Sequence, residues 1–173
     1  MDYNHYKEKI REVKDFPIPG VSFKDITPLL ADGPAFKELI DGLAAFFKDK
    51  KVVKVVGIDA RGFLLASAVA YLIGAGLVIV RKKGKLPHKT IVTEHDLEYG
   101  QGTMEIHVDA IENGERVVII DDVLATGGTA EAAVKLVKQL GGEVVGLGFL
   151  SELTYFDGRE RLKDYDIHSL IIY

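Results

Sequence analysis

Four short apolar runs constrain the fold more than any other feature of the sequence. They read VVKVVGID (52–59), GLVIVR (76–81), RVVIID (116–121) and EVVGLGFL (143–150). Each has the length of a strand and is almost unbroken in apolar character, as strands are when both faces of the sheet are covered. Helix-like residues, GFLLASAVAYLIG (62–74) and GTAEAAVKLVKQLGG (128–142), lie between them. We therefore expect an α/β fold with a mostly parallel, doubly wound sheet flanked by helices.

Further elements are predicted around these runs. Tyr6, Ile10 and Val13 have helical spacing within residues 3–14, which predicts a first helix that DFPIPG (15–20) would end. A second helix is predicted after Asp32. Residues 82–90 predict a basic loop, 90–100 fit no single pattern, 102–110 alternate like an exposed strand, and HSLIIY (168–173) predicts a last strand.

Composition narrows the classes of function. The chain has 173 residues, the size of one ordinary domain, and 22 basic against 26 acidic residues give a net charge of −4. This charge argues against nucleic acid as a partner, so any polyanion site must be local. The chain has no cysteine, no signal peptide pattern and no apolar run of the ~20 residues that cross a membrane. We expect a cytoplasmic protein without disulfides, thiolate metal sites or a membrane association.

One stretch, VVIIDDVLATGGT (117–129), combines a buried strand with two acids and a glycine loop. In doubly wound sheets ligands bind at the carboxyl ends of the strands, where Asp121 and Asp122 are expected. Two adjacent carboxylates can accept hydrogen bonds from neighbouring hydroxyl groups, as in a ribose. The loop leads into a helix N-terminus, whose free N–H groups and dipole favour an anion. Together they predict a site for a ribose 5-phosphate.

Competing interpretations of these motifs are weaker. A Thr-Gly-Gly turn before a helix is common without a ligand, but paired acids that repel each other need compensation, which favours a binding site. The chain lacks the G-x-x-x-x-G-K-[ST] pattern of a nucleoside triphosphate loop. Residues 74–76 lack the third glycine of a dinucleotide fingerprint.

The same stretch closely resembles the phosphoribosyl pyrophosphate signature of the type I phosphoribosyltransferases. Other stretches resemble the adenine phosphoribosyltransferases in order and spacing: FPIPGVSFKDITPLL (16–30), GIDARGFLLA (57–66), RKKGKLP (81–87), DLEYG (96–100) and SELTYFDGRE (151–160). The resemblance runs from about residue 15 to 173. It implies one phosphoribosyltransferase domain over residues 1–173, with a base-binding hood within 1–35 and a mobile loop at about 87–102 that closes over the site.

The activity that the resemblance implies is a reversible transfer in purine salvage. Adenine and phosphoribosyl pyrophosphate would give AMP and pyrophosphate, with Mg²⁺ held mainly by the substrate rather than by protein side chains. The implied enzyme is a homodimer, in which basic residues can reach a neighbouring active site.

The resemblance also assigns roles to residues. It places the ribose and 5-phosphate at Asp121, Asp122, Ala125, Thr126, Gly127, Gly128 and Thr129, and the pyrophosphate at Asp59, Ala60, Arg61, Arg81 and Lys85. It places adenine at Val21, Ser22, Phe23, Lys24 and Leu153. Glu98 would be the acid/base residue, because a base bonding at N9 must lose a proton. The resemblance further implies a cis peptide bond between Asp59 and Ala60.

Several of these residues have ordinary alternatives. Taken alone, Glu98 is an acid of a solvated loop, Phe23 a core residue and RKKGK (81–85) a solvated basic loop. Lys24 stands where the family often has Arg, Ala60 where Ser is frequent, and His95 where Tyr is common. Two other functions stay open: a phosphoribosyltransferase for another purine base, and a non-catalytic regulator that senses phosphoribosyl pyrophosphate.

Overall fold

The structure is a computed structural model that describes residues 2–97 and 100–173. Its strands are β1 (Arg11–Lys14), β2 (Ser22–Asp25), β3 (Lys54–Ile58), β4 (Gly76–Lys82), β5 (Thr90–Leu97), β6 (Gly100–His107), β7 (Arg116–Leu124), β8 (Glu143–Glu152) and β9 (Ile167–Ile172). Its α-helices are α1 (Thr27–Ala31), α2 (Gly33–Phe47), α3 (Gly62–Ile73), α4 (Gly128–Gln139) and α5 (Gly158–Arg161). Short 3₁₀ helices lie at Asn4–Lys9 and Thr154–Phe156.

The described residues form a seven-stranded sheet in the order β5-β6-β4-β3-β7-β8-β9. Four neighbouring pairs are parallel: β4 with β3, β3 with β7, β7 with β8, and β8 with β9. Strand β6 pairs antiparallel with β4 and with β5. The four apolar runs form β3, β4, β7 and β8, so the predicted α/β class and parallel sheet are confirmed. The chain leaves β3 toward β4 and returns to β7 on the other side of β3. The carboxyl ends of β3 and β7 thus lie at a topological switch point.

Residues of β7 alternate between two hydrophobic cores. Val118 and Ile120 pack in the core that contains α2 and α3, whereas Val117 and Ile119 pack in the core that contains α4. All four side chains are fully buried. Because helices cover both faces, β7 carries only apolar side chains between Arg116 at its start and Asp121.

The local signals that begin and end helices behave as the sequence indicates. The Asp32 side chain accepts a hydrogen bond of 3.0 Å from the backbone N–H of Ala35, which caps α2, and Pro34 occupies its first turn. Gly74 ends α3 in the left-handed conformation, with φ of 70°. The predicted second, third and fourth helical segments are therefore confirmed as α2, α3 and α4.

The predicted helix over residues 3–14 is wrong beyond Lys9. A 3₁₀ helix spans Asn4–Lys9, and Arg11–Lys14 form β1, which pairs antiparallel with β2. The pairing places Val13 opposite Phe23, so a partner that lies ten residues away decides the structure of this segment. Apolar spacing alone does not contain that contact.

The unassigned segment 90–100 is a strand as far as the structure describes it. Residues Thr90–Leu97 pair antiparallel with Gly100–His107, so much of the segment expected to form a closing loop lies in two strands. Buried Glu105 holds the basic loop of residues 82–90 by hydrogen bonds. Its Oε1 accepts hydrogen bonds of 2.8 Å from the backbone N–H groups of Lys85 and Leu86. Within the described ranges, no helix is long and apolar enough to cross a membrane.

Candidate active site

Asp121 and Asp122 lie near the carboxyl end of β7, and both side chains are buried. Asp121 Oδ1 accepts a hydrogen bond of 2.9 Å from the backbone N–H of Asp122. Gly62, which begins α3, lies against this carboxylate: a Cβ there would come within 2.7 Å of Asp121 Oδ1. The first turn of α3 therefore approaches the acids closely only because residue 62 has no side chain.

Burial sets the protonation of the two acids. It raises the pKa of Asp121 well above its usual value, and the neighbouring Asp122 charge raises it further. Burial also raises the pKa of Asp122, but the Arg61 guanidinium opposes that rise. Asp121 is thus the carboxyl that holds a proton more readily, and Asp122 is the one whose charge has a partner.

Arg61 connects the acids to the small N-terminal sheet. Its Nη2 lies 2.9 Å from Asp122 Oδ2, an ion pair without hydrogen-bond geometry, so this oxygen accepts no hydrogen bond from the described residues. Its Nη1 donates to the backbone oxygen of Lys24 at 3.3 Å. The guanidinium carbon lies 4.6 Å from the centre of the Phe23 ring. One cation therefore contacts both Asp122 and β2.

The loop after β7 carries the predicted anion site. Gly127 precedes α4 with φ of 79°, and α4 runs over twelve residues from Gly128. The backbones of this loop and of Gly158 touch: a Cβ on Gly158 would lie 2.1 Å from the Ala125 oxygen. The loop thus presents free N–H groups at a helix N-terminus while its other side rests on the start of α5.

A cavity of about 560 Å³ joins these parts. It is lined by Arg61, which the resemblance assigned to pyrophosphate, and by most of the residues assigned to ribose, phosphate and base, namely Asp121, Ala125, Thr126, Gly127, Gly128, Thr129, Val21, Ser22, Phe23, Lys24 and Leu153. Seven further residues line it that sequence reasoning did not name: Pro17, Gly20, Val123, Leu124, Ala130, Tyr155 and Phe156. Most of these seven lie inside motifs already singled out, so their position beside named residues was the available signal.

Other predicted residues lie outside the lining of this cavity. Asp122 reaches it through Arg61, as described above. Asp59 and Ala60 are joined by a cis peptide bond, which confirms that prediction. Arg81 Nε lies 3.1 Å from Asp59 Oδ2, and Arg81 Nη1 donates to the backbone oxygen of Lys85 at 3.2 Å. Glu98 lies outside the described residues.

The base side of the cavity is built from β2 and the turn before it. The Phe23 ring meets Phe16 edge to face, with centroids 5.1 Å apart. Lys24 Nζ lies 3.2 Å from Glu12 Oε1 and 5.1 Å from the centre of the Tyr173 ring. The lysine at position 24 therefore points its charge away to β1 and β9, while its backbone oxygen faces Arg61.

Comparison with known proteins places this arrangement in a family. The model of the phosphoribosyl transferase domain matches residues 29–170. An adenine phosphoribosyltransferase from Thermotoga petrophila is 56% identical over 167 residues, which cover 96% of this chain and 98% of that protein. The chain belongs to the adenine phosphoribosyltransferase family.

Solved structures of the adenine phosphoribosyltransferase family share the fold over nearly the whole chain. The crystal structure of the Rhodothermus marinus protein has a TM-score of 0.94 at 50% identity, covering 98% of this chain and 97% of that one. The Saccharomyces cerevisiae protein has a TM-score of 0.90 at 35% identity, with 98% of both chains covered. That yeast structure is a complex with an imino-altritol bisphosphate and adenine.

The raised pKa of Asp121 predicts that the site weakens the fold of the ligand-free protein. The folded state holds the Asp121 proton at a pH where the unfolded chain, with a pKa near 3.8, has lost it. Stability from this group is therefore lost as pH rises above that value. We expect Asp121→Asn to raise the free energy of unfolding at pH 7, and the gain to shrink as pH falls toward 4, measured by urea denaturation.

Asp25→Asn is the control of opposite sign. Hydrogen bonds from Thr27 lower the pKa of Asp25. The stability that Asp25 contributes to the fold is therefore present at neutral pH and is lost in acid. This variant should unfold more easily than the original protein at pH 7. If Asp121→Asn were also destabilising at pH 7, the assignment of an unfavourable buried carboxylate would be wrong.

Proposed function

We propose that this protein transfers the 5-phosphoribosyl group of phosphoribosyl pyrophosphate to adenine, giving AMP and pyrophosphate in purine salvage. The observation that carries the proposal is one cavity lined by buried Asp121, by the loop from Ala125 to Thr129 and by Phe23 of β2. Its relatives named adenine phosphoribosyltransferase match over nearly their full length, which supports the same chemistry.

The ribose 5-phosphate part of the substrate fits the loop and the acids. The N–H groups of the loop from Ala125 to Thr129 bind the phosphate at the N-terminus of α4, and the threonine hydroxyls add donors. Asp121 and Asp122 accept hydrogen bonds from the two ribose hydroxyls. Asp122 Oδ2 accepts no hydrogen bond from the described residues and forms an ion pair with Arg61 Nη2 at 2.9 Å.

The pyrophosphate contacts Asp59, Ala60 and the cations around them. Arg61 and Arg81 are each paired with an aspartate, and Lys85 lies beside Arg81. A guanidinium that binds two oxygens at once stabilises a leaving diphosphate, whose charge grows as the bond to C1′ breaks. The arginines therefore act most strongly in the transition state.

The base lies between β2 and the residues that follow β8. Val21, Ser22, Phe23 and Lys24 form one side and Leu153 the other, all on the lining of the same cavity. The Phe23 ring supplies a stacking face for a purine. Glu98 takes the proton that adenine loses as the bond at N9 forms, and residues 87–102 close over the site to exclude water.

Mg²⁺ would fit this site, where the substrate would hold it in the main. The part of the chain that the structure describes contains no group of three or more histidines or acids that would hold an ion by itself. Two buried acids without a third ligand suit an ion that the substrate brings with it. When bound, Mg²⁺ supplies positive charge that neutralises the diphosphate.

We also propose that the protein works in the cytoplasm as a homodimer. The sequence contains no cysteine, which suits a reducing compartment. On α3, Tyr71 is 90% exposed and Leu64 and Leu72 are about half exposed. Apolar side chains grouped on one helix face favour a second copy of the chain, related by a two-fold axis.

An assay with several bases separates the proposed function from its two alternatives. Phosphoribosyl pyrophosphate is supplied with adenine, hypoxanthine, guanine or xanthine, and nucleotide formation is followed by chromatography. We expect AMP to form far faster than the other nucleotides. A faster reaction with another base would support a phosphoribosyltransferase for that base. Binding of phosphoribosyl pyrophosphate without turnover of any base would support a non-catalytic regulator that senses this compound.

Glu98→Gln tests the acid/base assignment. The amide keeps the shape of the side chain but cannot accept the purine proton, so kcat should fall by about 10²–10⁴-fold. The affinity for phosphoribosyl pyrophosphate, measured by calorimetric titration, should change little. Glu94→Gln removes an exposed carboxylate from the same segment and should leave kcat unchanged. Near-normal turnover of Glu98→Gln would remove Glu98 from the mechanism.

Tyr71→Glu tests the dimer and its surface. A charge buried between two copies of α3 would be unpaired, so the variant should be a monomer in light scattering at micromolar concentration. Val108→Glu alters an apolar side chain that is 40% exposed after β6 and should leave the dimer intact. An original protein that is monomeric and fully active would contradict the proposed homodimer.

A further inference from the structure

An ion pair between buried Glu152 and half-exposed Arg159 closes the segment that follows β8. Glu152 is the last residue of β8 and is only 4% exposed. Arg159 Nε donates to Glu152 Oε1 at 2.7 Å, and Arg159 Nη2 donates to Glu152 Oε2 at 2.8 Å. Both carboxylate oxygens are therefore held by one planar guanidinium, a geometry that fixes direction as well as distance.

The residues between the two partners face the cavity. Leu153, Tyr155 and Phe156 line it together with residues of β2. Gly158 lies against the anion loop, since a Cβ there would come within 2.1 Å of the Ala125 oxygen and 2.9 Å of a Leu124 side-chain carbon. The segment 153–158 therefore touches the predicted base site at its beginning and the predicted phosphate site at its end.

Backbone hydrogen bonds hold the beginning of this segment to the sheet. The Leu153 N–H donates to the Leu124 oxygen at 2.9 Å, and the Thr154 N–H donates to the Tyr173 oxygen at 3.1 Å. At the other end Arg159 provides the corresponding attachment, because its guanidinium binds Glu152 and also donates to the Ile167 oxygen at 3.4 Å. The ion pair thus fixes the end that carries Gly158.

We propose that Glu152 and Arg159 are positioning residues that hold the 153–158 segment against the anion loop. Through Gly158 they set the position of the Ala125 to Gly127 backbone, and through Leu153, Tyr155 and Phe156 they set the width of the base site. The pair contacts neither substrate itself. This inference rests on the proposed function, because it assigns the pair to the binding of ribose 5-phosphate and base.

A purely structural role would have a different signature. Glu152 is buried, so removal of Arg159 alone leaves an unpaired buried carboxylate, whereas neutral replacement of both partners leaves none. A structural defect caused by that charge should vanish when both partners become neutral. A positioning defect should persist, because the neutral pair lacks the two directed hydrogen bonds.

The probe is ribose 5-phosphate, whose binding is measured by calorimetry without any base. Arg159→Met should raise its Kd by about tenfold to a hundredfold, since a shift of about 1 Å in a binding group has effects of that order. The KM for adenine should rise as well, while kcat at saturating substrates changes less. Arg159→Lys keeps the charge but cannot make the paired hydrogen bonds, so its Kd should lie between those of Arg159→Met and the original protein.

The double variant Glu152→Gln with Arg159→Met decides between the two roles. Weak ribose 5-phosphate binding in the double variant supports positioning, and a Kd restored to the original value overturns it. The same two outcomes apply if Arg159→Met alone does not fold. A folded Arg159→Met protein with unchanged Kd and KM also overturns the inference.

Arg116→Met is the matched control. Arg116 begins β7 and pairs at 2.7 Å with Glu143, which begins β8. This pair therefore lies at the end of the two strands that is far from the anion loop. Its loss should leave the Kd for ribose 5-phosphate unchanged. An original protein that does not bind ribose 5-phosphate would defeat the proposed function, whereas equal binding by the original protein and Arg159→Met would defeat only the positioning role.

Discussion

The site depends on two adjacent carboxylates buried near the end of a central strand. Burial of Asp121 and Asp122 costs free energy, because each charged form loses water and the two charges repel. The structure offsets part of this cost with Arg61 and the N–H of Asp122. The start of α3 must lie close to supply Arg61, and that approach requires glycine at position 62. The cost of burying the two acids thus explains why arginine stands at position 61 and glycine at position 62.

The same constraint bears on how an acidic chain would bind the polyanion of the proposed reaction. The net charge is −4, so general attraction of phosphate is weak, and the recognition must come from fixed groups. Arg61 and Arg81 are each paired with an aspartate. A diphosphate oxygen that approaches either arginine competes with a carboxylate already in place. No carboxylate of residues 2–97 or 100–173 is hydrogen-bonded to the loop N–H groups, which suits them to bind the phosphate that stays on the ribose in the proposed transfer.

The parallel sheet could be predicted because its signal is local. Each of the runs that became β3, β4, β7 and β8 is almost continuously apolar, and a glycine follows each helix between them, Gly74 after α3 and Gly141 shortly after α4. β1 and β5 could not be predicted in the same way. Val13 is opposite Phe23, and Thr90 is opposite His107, so both strands form because of antiparallel partners. A pattern of apolar spacing within one segment contains no information on that pairing.

The candidate site likewise has one part that could be predicted from contiguous residues and one part that could not. Asp121, Asp122 and the loop to Thr129 are contiguous, and the physics of a strand end followed by a helix N-terminus is contained within them. The other cavity wall is not contiguous with them. Tyr155 and Phe156 reach the cavity because β8 lies beside β7 and because Gly158 fits against Ala125. Sequence motifs can mark such residues, but only the register of the two strands makes them neighbours of the acids.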